Sequence, residues 1–334
     1  MQKLLLLGTG GTIACLPTKE GLAPNVPASE LLSFLNTDTS DIDCRDLFAL
    51  DSSNIQPEEW HAMAAEIAAA QKMYCGVVIA HGTDTMAYSA SMLSFMLQGI
   101  DIPVVLTGAQ YPIVYPDSDG RANLQDSLAA ARSLPGGVYI CFGGAVMLGC
   151  RAVKVRTTSL NAFESINFPY IGAIFNGKFV QLHQPPVRKE GFSFNDKIEP
   201  NVALIKLVPG TTPALFYALP ACGYQGLVVE AFGLGGVHSI RRDHTEALVK
   251  LLHGGMPVVL SSQCLYEPST ISVYEVSRPL SEAGMLSAGD MTTEAAVTKL
   301  MWALGQSGSM DEVRRMMADN LCGEISPQVL PTKQ

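Results

Sequence analysis

Short apolar runs that end in glycine turns are the feature that most constrains the fold of this chain. Leu4–Leu7 is followed by a glycine-rich turn that carries Thr12, and Val77–Ala80 is followed by one that carries Thr83. An apolar run broken by glycine is typical of a buried parallel strand, whose carboxyl end lies at the ligand edge of an open α/β sheet. We expect the two turns to direct two hydroxyls into one cleft, which suggests nucleophilic chemistry on a small polar substrate.

The rest of the chain alternates in the same way between strand-like and helical patterns. Apolar runs lie at 4–7, 77–80, 103–107 and 137–142, and segments of helical period lie at 57–71 and 88–97. The alternation resumes with apolar runs at 203–207, 226–230 and 258–260 and helical segments at 243–253 and 292–304. This order is typical of βαβ units and predicts an α/β fold with mainly parallel strands.

A loss of periodicity divides the predicted fold into two domains. With 334 residues, the chain exceeds the usual size of one domain. Residues 185–201 combine proline, charge and glycine without an apolar repeat, which predicts a linker. We therefore expect a larger N-terminal domain at 1–184, with a mainly parallel sheet flanked by helices, and a smaller C-terminal α/β domain at 202–334.

The composition narrows the class of substrate. The chain has 22 basic and 31 acidic residues, a net charge of -9, and no basic cluster. This balance argues against nucleic acid and against an anionic membrane surface, so we expect a small-molecule substrate. The N-terminus lacks the pattern of a signal peptide, and apolar stretches such as Tyr139–Cys150 are too short to span a bilayer. The sequence predicts a cytoplasmic protein.

Neither the cysteines nor the histidines are spaced like metal ligands. The eight cysteines form no CxxC pair, and the six histidines form no HExxH motif. We expect reduced thiols that fill core space, and no metal.

The first threonine turn admits more than one interpretation. Gly8–Ile13 begins like a dinucleotide-binding fingerprint, but Ile13 stands where the third glycine of that motif belongs. No Gly-Lys-Ser/Thr follows, so the turn is not a phosphate loop either. It carries either a reactive hydroxyl at Thr12 or threonines that only cap the next element.

The second turn places a hydroxyl beside a carboxylate, at Thr83 and Asp84, just before a helical stretch. Backbone N–H groups at a helix start can face a charged substrate. The alternative is an ordinary helix N-cap, in which Asp84 or Thr85 binds the first free amides.

Two further segments supply groups that such chemistry needs. A threonine hydroxyl attacks only when a base removes its proton, and Lys154 is the candidate, unless it is a solvated surface lysine. Asp51–Asn54 forms a third polar turn before the helix that Pro57 opens. Its side chains either bind a substrate's carboxylate and ammonium or only mark the entry to that helix.

Together these segments resemble a known family. Thr9–Ala14 and His81–Tyr88 match the first and second signatures of the bacterial-type L-asparaginases, and within them of the cytoplasmic type I branch. Further matches follow in the expected order at Asp51–Ser53, Leu106–Gln110, Ala162–Ser165 and Gly289–Thr292. The resemblance spans essentially the whole chain.

The resemblance implies an amidohydrolase that cleaves L-asparagine to L-aspartate and ammonia without a cofactor. By position, Thr12 is the nucleophile that forms a β-aspartyl ester, and Thr83, Asp84 and Lys154 form a second triad that moves protons and activates water. The family has been interpreted both ways over which threonine attacks.

The resemblance also assigns the binding groups. Backbone N–H groups of Thr83 and Ala109 would form the oxyanion hole, and Asp84 would hold the α-ammonium. The α-carboxylate would be held by Asp51, Ser52 and Ser53. The family completes its site across a subunit contact, which implies a homodimer or homotetramer.

The chain departs from the family pattern at two positions. Many relatives carry a tyrosine on the loop after the first signature, but Leu22 occupies that position here. Either Thr12 is activated in another way, or a tyrosine reaches the site from elsewhere, for which Tyr274 of a neighbouring subunit is the candidate. Some type I members use an arginine in an allosteric asparagine site, where this chain has Glu230, and the reversed charge argues against that regulation.

Two other functions fit the same pattern. One is an asparaginase-like subunit of a tRNA-dependent amidotransferase, which needs an additional N-terminal domain that we do not expect here, because the first signature already begins at Gly8. The other is a non-catalytic asparagine-binding sensor, which the missing loop tyrosine keeps open.

Overall fold

Parallel strands separated by helices make up both halves of the chain, in a computed structural model that describes residues 3–187, 190–270 and 278–326. The chain divides into two compact units, of which the first ends at Asp196 and the second begins at Lys197. This division falls inside the predicted linker at 185–201, whose bounds stay a prediction. The predicted fold class, a larger N-terminal and a smaller C-terminal α/β domain, is confirmed.

The first unit contains fourteen strands and four α-helices among its described residues. The strands are β1 (Leu4–Gly10), β2 (Cys15–Thr18), β3 (Gly21–Pro24), β4 (Ile42–Leu50), β5 (Gly76–Ala80), β6 (Leu97–Gln98), β7 (Pro103–Thr107), β8 (Gly137–Phe142), β9 (Ala145–Leu148), β10 (Ala152–Lys154), β11 (Phe163–Ser165), β12 (Gly172–Phe175), β13 (Lys178–Gln181) and β14 (Ser193–Phe194). The helices are α1 (Ala28–Ser33), α2 (Pro57–Ala70), α3 (Met86–Met96) and α4 (Gly120–Ala131).

The main sheet of this unit has eight strands in the order β13-β12-β9-β8-β7-β5-β1-β4. The pairs that join β4, β1, β5, β7 and β8 are parallel, and β8, β9, β12 and β13 pair antiparallel at one edge. Within the parallel part, the chain first moves from β1 to β4 and then crosses to β5 on the other side. The strand order therefore changes direction between β1 and β5, where open α/β sheets bind their ligands.

Burial explains why these segments are strands. Every residue of β1, β5 and β7 is buried, as expected for parallel strands covered on both faces. Helix α3 has no charged residue, and all of its residues except Tyr88 are buried. Gln56 and Glu59 form a capping box at the start of α2, with Pro57 at its first position.

The described residues of the second unit form a four-stranded parallel sheet in the order β15-β16-β17-β18, with helices packed against it. Its strands are β15 (Val202–Lys206), β16 (Gly226–Ala231), β17 (Val258–Ser262) and β18 (Leu286–Ser287). Its helices are α5 (Ala214–Ala218), α6 (Thr245–His253), α7 (Arg278–Glu282), α8 (Thr293–Gln306) and α9 (Met310–Ala318). Apolar residues of β16 and β17 form its core with Leu248 and Leu251 of α6.

The strands and helices predicted from the apolar runs are present close to their predicted bounds. The antiparallel edge β9-β12-β13 and the hairpin β2–β3 did not follow from the sequence, because their strands are only four residues long and, except for β9, only partly buried. Ser193–Phe194, inside the predicted linker, pairs with Leu97–Gln98. No described helix combines the length and apolar character needed to cross a bilayer.

Candidate active site

The turns that carry the predicted site residues follow four adjacent strands. Thr12 follows β1, Asp51 follows β4, Thr83 follows β5 and Ala109 follows β7. Because these strands are parallel neighbours, their carboxyl ends lie along one edge of the sheet. The fold therefore brings the four turns to the place where the strand order changes direction.

Glycines let the turns approach one another at backbone distance. A Cβ added to Gly11 would lie 2.3 Å from the Cα of Gly82, so the first and second turns meet backbone to backbone. A Cβ on Gly82 would lie 2.6 Å from the Cβ of Ser52, and one on Gly10 would lie 2.4 Å from the carbonyl oxygen of Leu50. The predicted cleft between the two threonine turns is thus closed at its base by glycine contacts.

Hydrogen bonds fix the same arrangement. The Gly11 N–H donates to the Leu50 carbonyl at 2.8 Å, which joins the first turn to the end of β4. The Asp84 N–H donates to Ser52 Oγ at 3.2 Å, and Thr85 Oγ1 donates to the Ser52 carbonyl at 2.8 Å. Thr85 therefore ties the second turn to the third.

Lys154 lies at the second turn rather than in solvent. Its Nζ donates to Thr83 Oγ1 at 2.8 Å and to Asp84 Oδ1 at 2.6 Å. The Lys154 side chain is 16% exposed and that of Asp84 is 62% exposed. Lys154 is the last residue of β10 and pairs with Phe163 of β11, so the matched segment Ala162–Ser165 is the strand that positions this lysine.

Asp51 and its two serines form a compact polar turn. Asp51 Oδ1 accepts hydrogen bonds from the Ser53 N–H at 2.9 Å and from Ser53 Oγ at 2.6 Å. These bonds, with a smaller contribution from Lys154, hold the pKa of Asp51 below its usual value. Ser52 is buried between this turn and the second one.

The turn that carries Ala109 is held by groups that the sequence did not single out. Asp119 accepts from the N–H groups of Gln110 and Tyr111, both at 3.0 Å. Asn123 donates to the Gly108 carbonyl at 3.0 Å and to Asp119 at 3.1 Å. The short polar run 117–120 before α4 is typical of the start of a helix, and this pattern is the sequence feature that could have pointed to Asp119.

The backbone amides of Thr83 and Ala109 lie on the turns at this edge of the sheet. Among the described residues, neither the Thr83 N–H nor the Ala109 N–H donates a hydrogen bond, although Thr83 is 5% exposed and Ala109 is 1% exposed. Buried amides are normally paired, so two unpaired ones on neighbouring turns can receive an oxygen that carries negative charge.

Thr12 is the first residue of a short 3-10 helix, Thr12–Ala14, and is partly buried. No side chain of the described residues forms a hydrogen bond with its hydroxyl. Leu22, at the position of the family tyrosine, lies in the β2–β3 hairpin and is 52% exposed. Tyr274, the predicted replacement, lies outside the described residues.

Glu230 is engaged within its own unit. It lies near the end of β16, where it accepts from Thr293 Oγ1 at 2.7 Å and lies 3.5 Å from Lys206 Nζ. In the described parts of the chain, no group of three or more metal-binding side chains has the geometry to hold an ion.

Known proteins resemble the chain over nearly its full length. The family model for the asparaginase N-terminal domain matches residues 3–188, and that for the glutaminase/asparaginase C-terminal domain matches residues 201–317. The chain is 41% identical over 328 residues to the L-asparaginase of Thermococcus kodakarensis, covering 97% of this chain and 99% of that protein. It is 36% identical to a glutamyl-tRNA(Gln) amidotransferase chain of Metallosphaera sedula, covering 98% of this chain and 77% of that protein.

Solved structures agree with these matches. The structure of the Thermococcus kodakarensis L-asparaginase superposes with a TM-score of 0.93 and covers 98% of this chain and all of the other. That of L-asparaginase I from Vibrio cholerae, at 29% identity, superposes with a TM-score of 0.86 and the same coverage.

The fold and the clustered hydroxyl, carboxylate and amine groups define a two-domain α/β enzyme. With both family models matched, the chain belongs to the asparaginase family. The resemblance seen in the sequence is confirmed.

Proposed function

We propose that this protein hydrolyses L-asparagine to L-aspartate and ammonia through a threonine nucleophile, without a cofactor. The main support for the proposal is the hydrogen-bonded cluster of Thr83, Asp84 and Lys154. Its turn packs against the Thr12 turn where Gly11 contacts Gly82. Family membership and the likeness to proteins named L-asparaginase support the choice of substrate.

In the first half of the reaction, Thr12 Oγ1 attacks the side-chain amide carbon of asparagine and forms a carbon–oxygen bond. The amide oxygen then carries negative charge, which the unpaired N–H groups of Thr83 and Ala109 stabilise. The carbon–nitrogen bond breaks as the nitrogen takes up the proton lost by Thr12, so ammonia leaves and a β-aspartyl ester remains on Thr12.

In the second half, water attacks the same carbon and the ester bond breaks. The Thr83 hydroxyl is 2.8 Å from Lys154 Nζ, a distance across which a proton can move. Asp84 Oδ1 lies 2.6 Å from the same amine and holds it beside the Thr83 hydroxyl. This triad removes the proton of the water, and a proton returns to Thr12 as aspartate is released.

The remaining groups hold the amino-acid part of the substrate. Asp84 is mostly exposed and presents carboxylate to the α-ammonium. Ser52 and Ser53, with Asp51, present polar groups beside it to the α-carboxylate. A site that binds both charges favours an amino-acid amide over a simple amide.

Ammonia release from L-asparagine, D-asparagine and L-glutamine tests this proposal. We expect ammonia and L-aspartate in equal amounts from L-asparagine. Glutamine is longer by one methylene, which changes the activation free energy by only ~1 to 3 kcal/mol, so we expect slower but measurable turnover of it. Absence of ammonia from L-asparagine, with binding still seen by calorimetry, would instead identify a sensor.

The likeness to the amidotransferase chain is the observation that favours a second candidate function. A protein of that kind would pass its ammonia to a partner instead of releasing it. Free ammonia from the isolated protein at a rate independent of any added partner would argue against this alternative. The oligomeric state stays a prediction.

A further inference from the structure

His81 opens the second threonine turn and takes no part in the reaction as proposed. The ring is completely buried, two residues before Thr83. Both of its nitrogens have partners: Nδ1 lies 2.6 Å from the carbonyl oxygen of Gly82, and Nε2 lies 3.0 Å from Ser89 Oγ. Sequence reasoning matched this histidine to the family signature without assigning it a role.

These partners determine which nitrogen carries the proton. A carbonyl oxygen only accepts, so Nδ1 of His81 must donate to Gly82. Burial lowers the pKa of His81 to about 4, so near pH 7 the ring is neutral and has one proton. Nε2 therefore accepts from the Ser89 hydroxyl, which in turn accepts from Trp60 Nε1 at 3.0 Å. The four groups form one directed chain that ends at the Gly82 carbonyl.

The end of this chain is the peptide group that contains the Thr83 N–H. The Gly82–Thr83 bond is trans, so its C=O and N–H point in opposite directions within one plane. A hydrogen bond that holds the Gly82 carbonyl therefore also fixes the direction of the Thr83 N–H. Gly82 must be glycine because of its contacts with Gly11 and Ser52, and glycine alone leaves the orientation of this plane weakly determined.

We propose that His81 is a positioning residue that aims the Thr83 N–H at the developing oxyanion by holding the carbonyl of the same peptide group. The inference rests on the proposed function, because it assigns the Thr83 amide to the oxyanion hole. It also explains why a fully buried histidine occupies this position, where an apolar side chain would leave the Gly82 carbonyl unpaired.

Two substitutions separate positioning from packing. An asparagine side chain places its amide nitrogen near the position of Nδ1, whereas glutamine places it near Nε2. We expect His81→Gln to lower kcat by ~10- to 100-fold, less than complete loss of one oxyanion donor, with KM within about threefold of wild type. We expect His81→Asn, which keeps the donor to Gly82, to retain most of kcat.

His244 supplies the matched control. It is also completely buried, and its Nε2 lies 2.9 Å from the Thr211 carbonyl, within the second unit. His244→Asn removes a buried histidine donor without touching the threonine turns. We expect it to lower the melting temperature and leave kcat unchanged.

Equal kcat in wild type and His81→Gln would overturn the positioning role, as would equal losses in the Gln and Asn variants. If the variants do not fold, nitrogen-15 NMR of the wild type decides: a proton on Nδ1 of His81 supports the proposal and a proton on Nε2 overturns it. A wild type that releases no ammonia from L-asparagine contradicts the proposed function instead, and the NMR result then decides alone whether His81 holds the carbonyl.

Discussion

At the scale of single residues, the site depends on glycines, which have no Cβ atom. Gly11 has a φ of +73°, and a Cβ there would overlap Gly82. Alanine at this position would incur both backbone strain and a collision between two turns. The backbone strain alone would lower the free energy of unfolding by about 1 to 2 kcal/mol.

We therefore predict that Gly11→Ala destabilises the protein by more than about 3 kcal/mol and lowers kcat/KM for L-asparagine. Gly177→Ala is the control, because Gly177 has a φ of +71° but its Cβ would meet only Gln125 Nε2, at 3.9 Å. Calorimetry gives the free energy of unfolding of both variants, and the difference between their losses is the cost of the collision, because the backbone strain is common to both. Similar destabilisation by the two substitutions would contradict the close approach.

Asp126 of α4 gives a prediction on pH. It is half-buried without a hydrogen-bond partner among the described residues, and burial raises its pKa from an ordinary 3.8 to about 6. The folded state thus binds the proton more tightly than the unfolded state, so stability falls as pH rises from about 4 to about 6.

We predict that Asp126→Asn stabilises the protein at pH 7.5 by on the order of 1 kcal/mol, reduced by solvent screening of the half-exposed group. Near pH 3.5 the gain should vanish, because the carboxyl is then protonated in both states. Urea unfolding at the two pH values measures this, with the exposed Asp117→Asn as control. The same gain at both pH values would contradict the assignment.

At the scale of elements, each turn is held by a neighbouring helix or strand. The start of α4 positions the Ala109 amide through Asp119, which accepts from two N–H groups of that turn. Strand β11 positions Lys154 by pairing with it. The chemistry proposed for one strand end therefore depends on elements far from it in sequence.

We predict that Asp119→Ala lowers kcat for L-asparagine by ~10- to 100-fold, because the turn that carries a proposed oxyanion donor, the Ala109 N–H, loses its anchor. The melting temperature should also fall, since two amides are left without their acceptor. Asp117→Ala, two residues earlier and exposed, should change neither quantity. An Asp119→Ala variant that keeps wild-type kcat would show that this turn is not part of the oxyanion hole.

At the scale of the whole molecule, the sequence predicted more of the fold than of the site. Buried parallel strands such as β1 and β5 are recognisable in the sequence as apolar runs. Because the carboxyl ends of parallel strands lie at one edge of the sheet, the contact between the turns that carry Thr12 and Thr83 could be predicted. Lys154 could not be placed from composition, because its position depends on a short antiparallel pair, β10–β11, without a strong apolar pattern.

The supporting hydrogen bonds were still less predictable. The roles of His81 and Asp119 arise from single contacts to backbone atoms on other turns, and no periodicity encodes such contacts. Family resemblance alone gave the role proposed for Ala109, since a backbone N–H leaves no trace in the amino-acid sequence.

The two threonine turns are proposed to form one catalytic centre, and a comparison of single and double variants shows whether they act together. The measurement is kcat/KM for L-asparagine in wild type, Thr12→Ala, Thr83→Ala and the double variant, with circular dichroism to confirm the fold. Since members of one catalytic unit act together, we predict that each single substitution costs on the order of a thousandfold or more and that the double variant is hardly slower than the worse single variant. Near-normal turnover in either single variant, or two losses that multiply in the double variant, would contradict a shared centre.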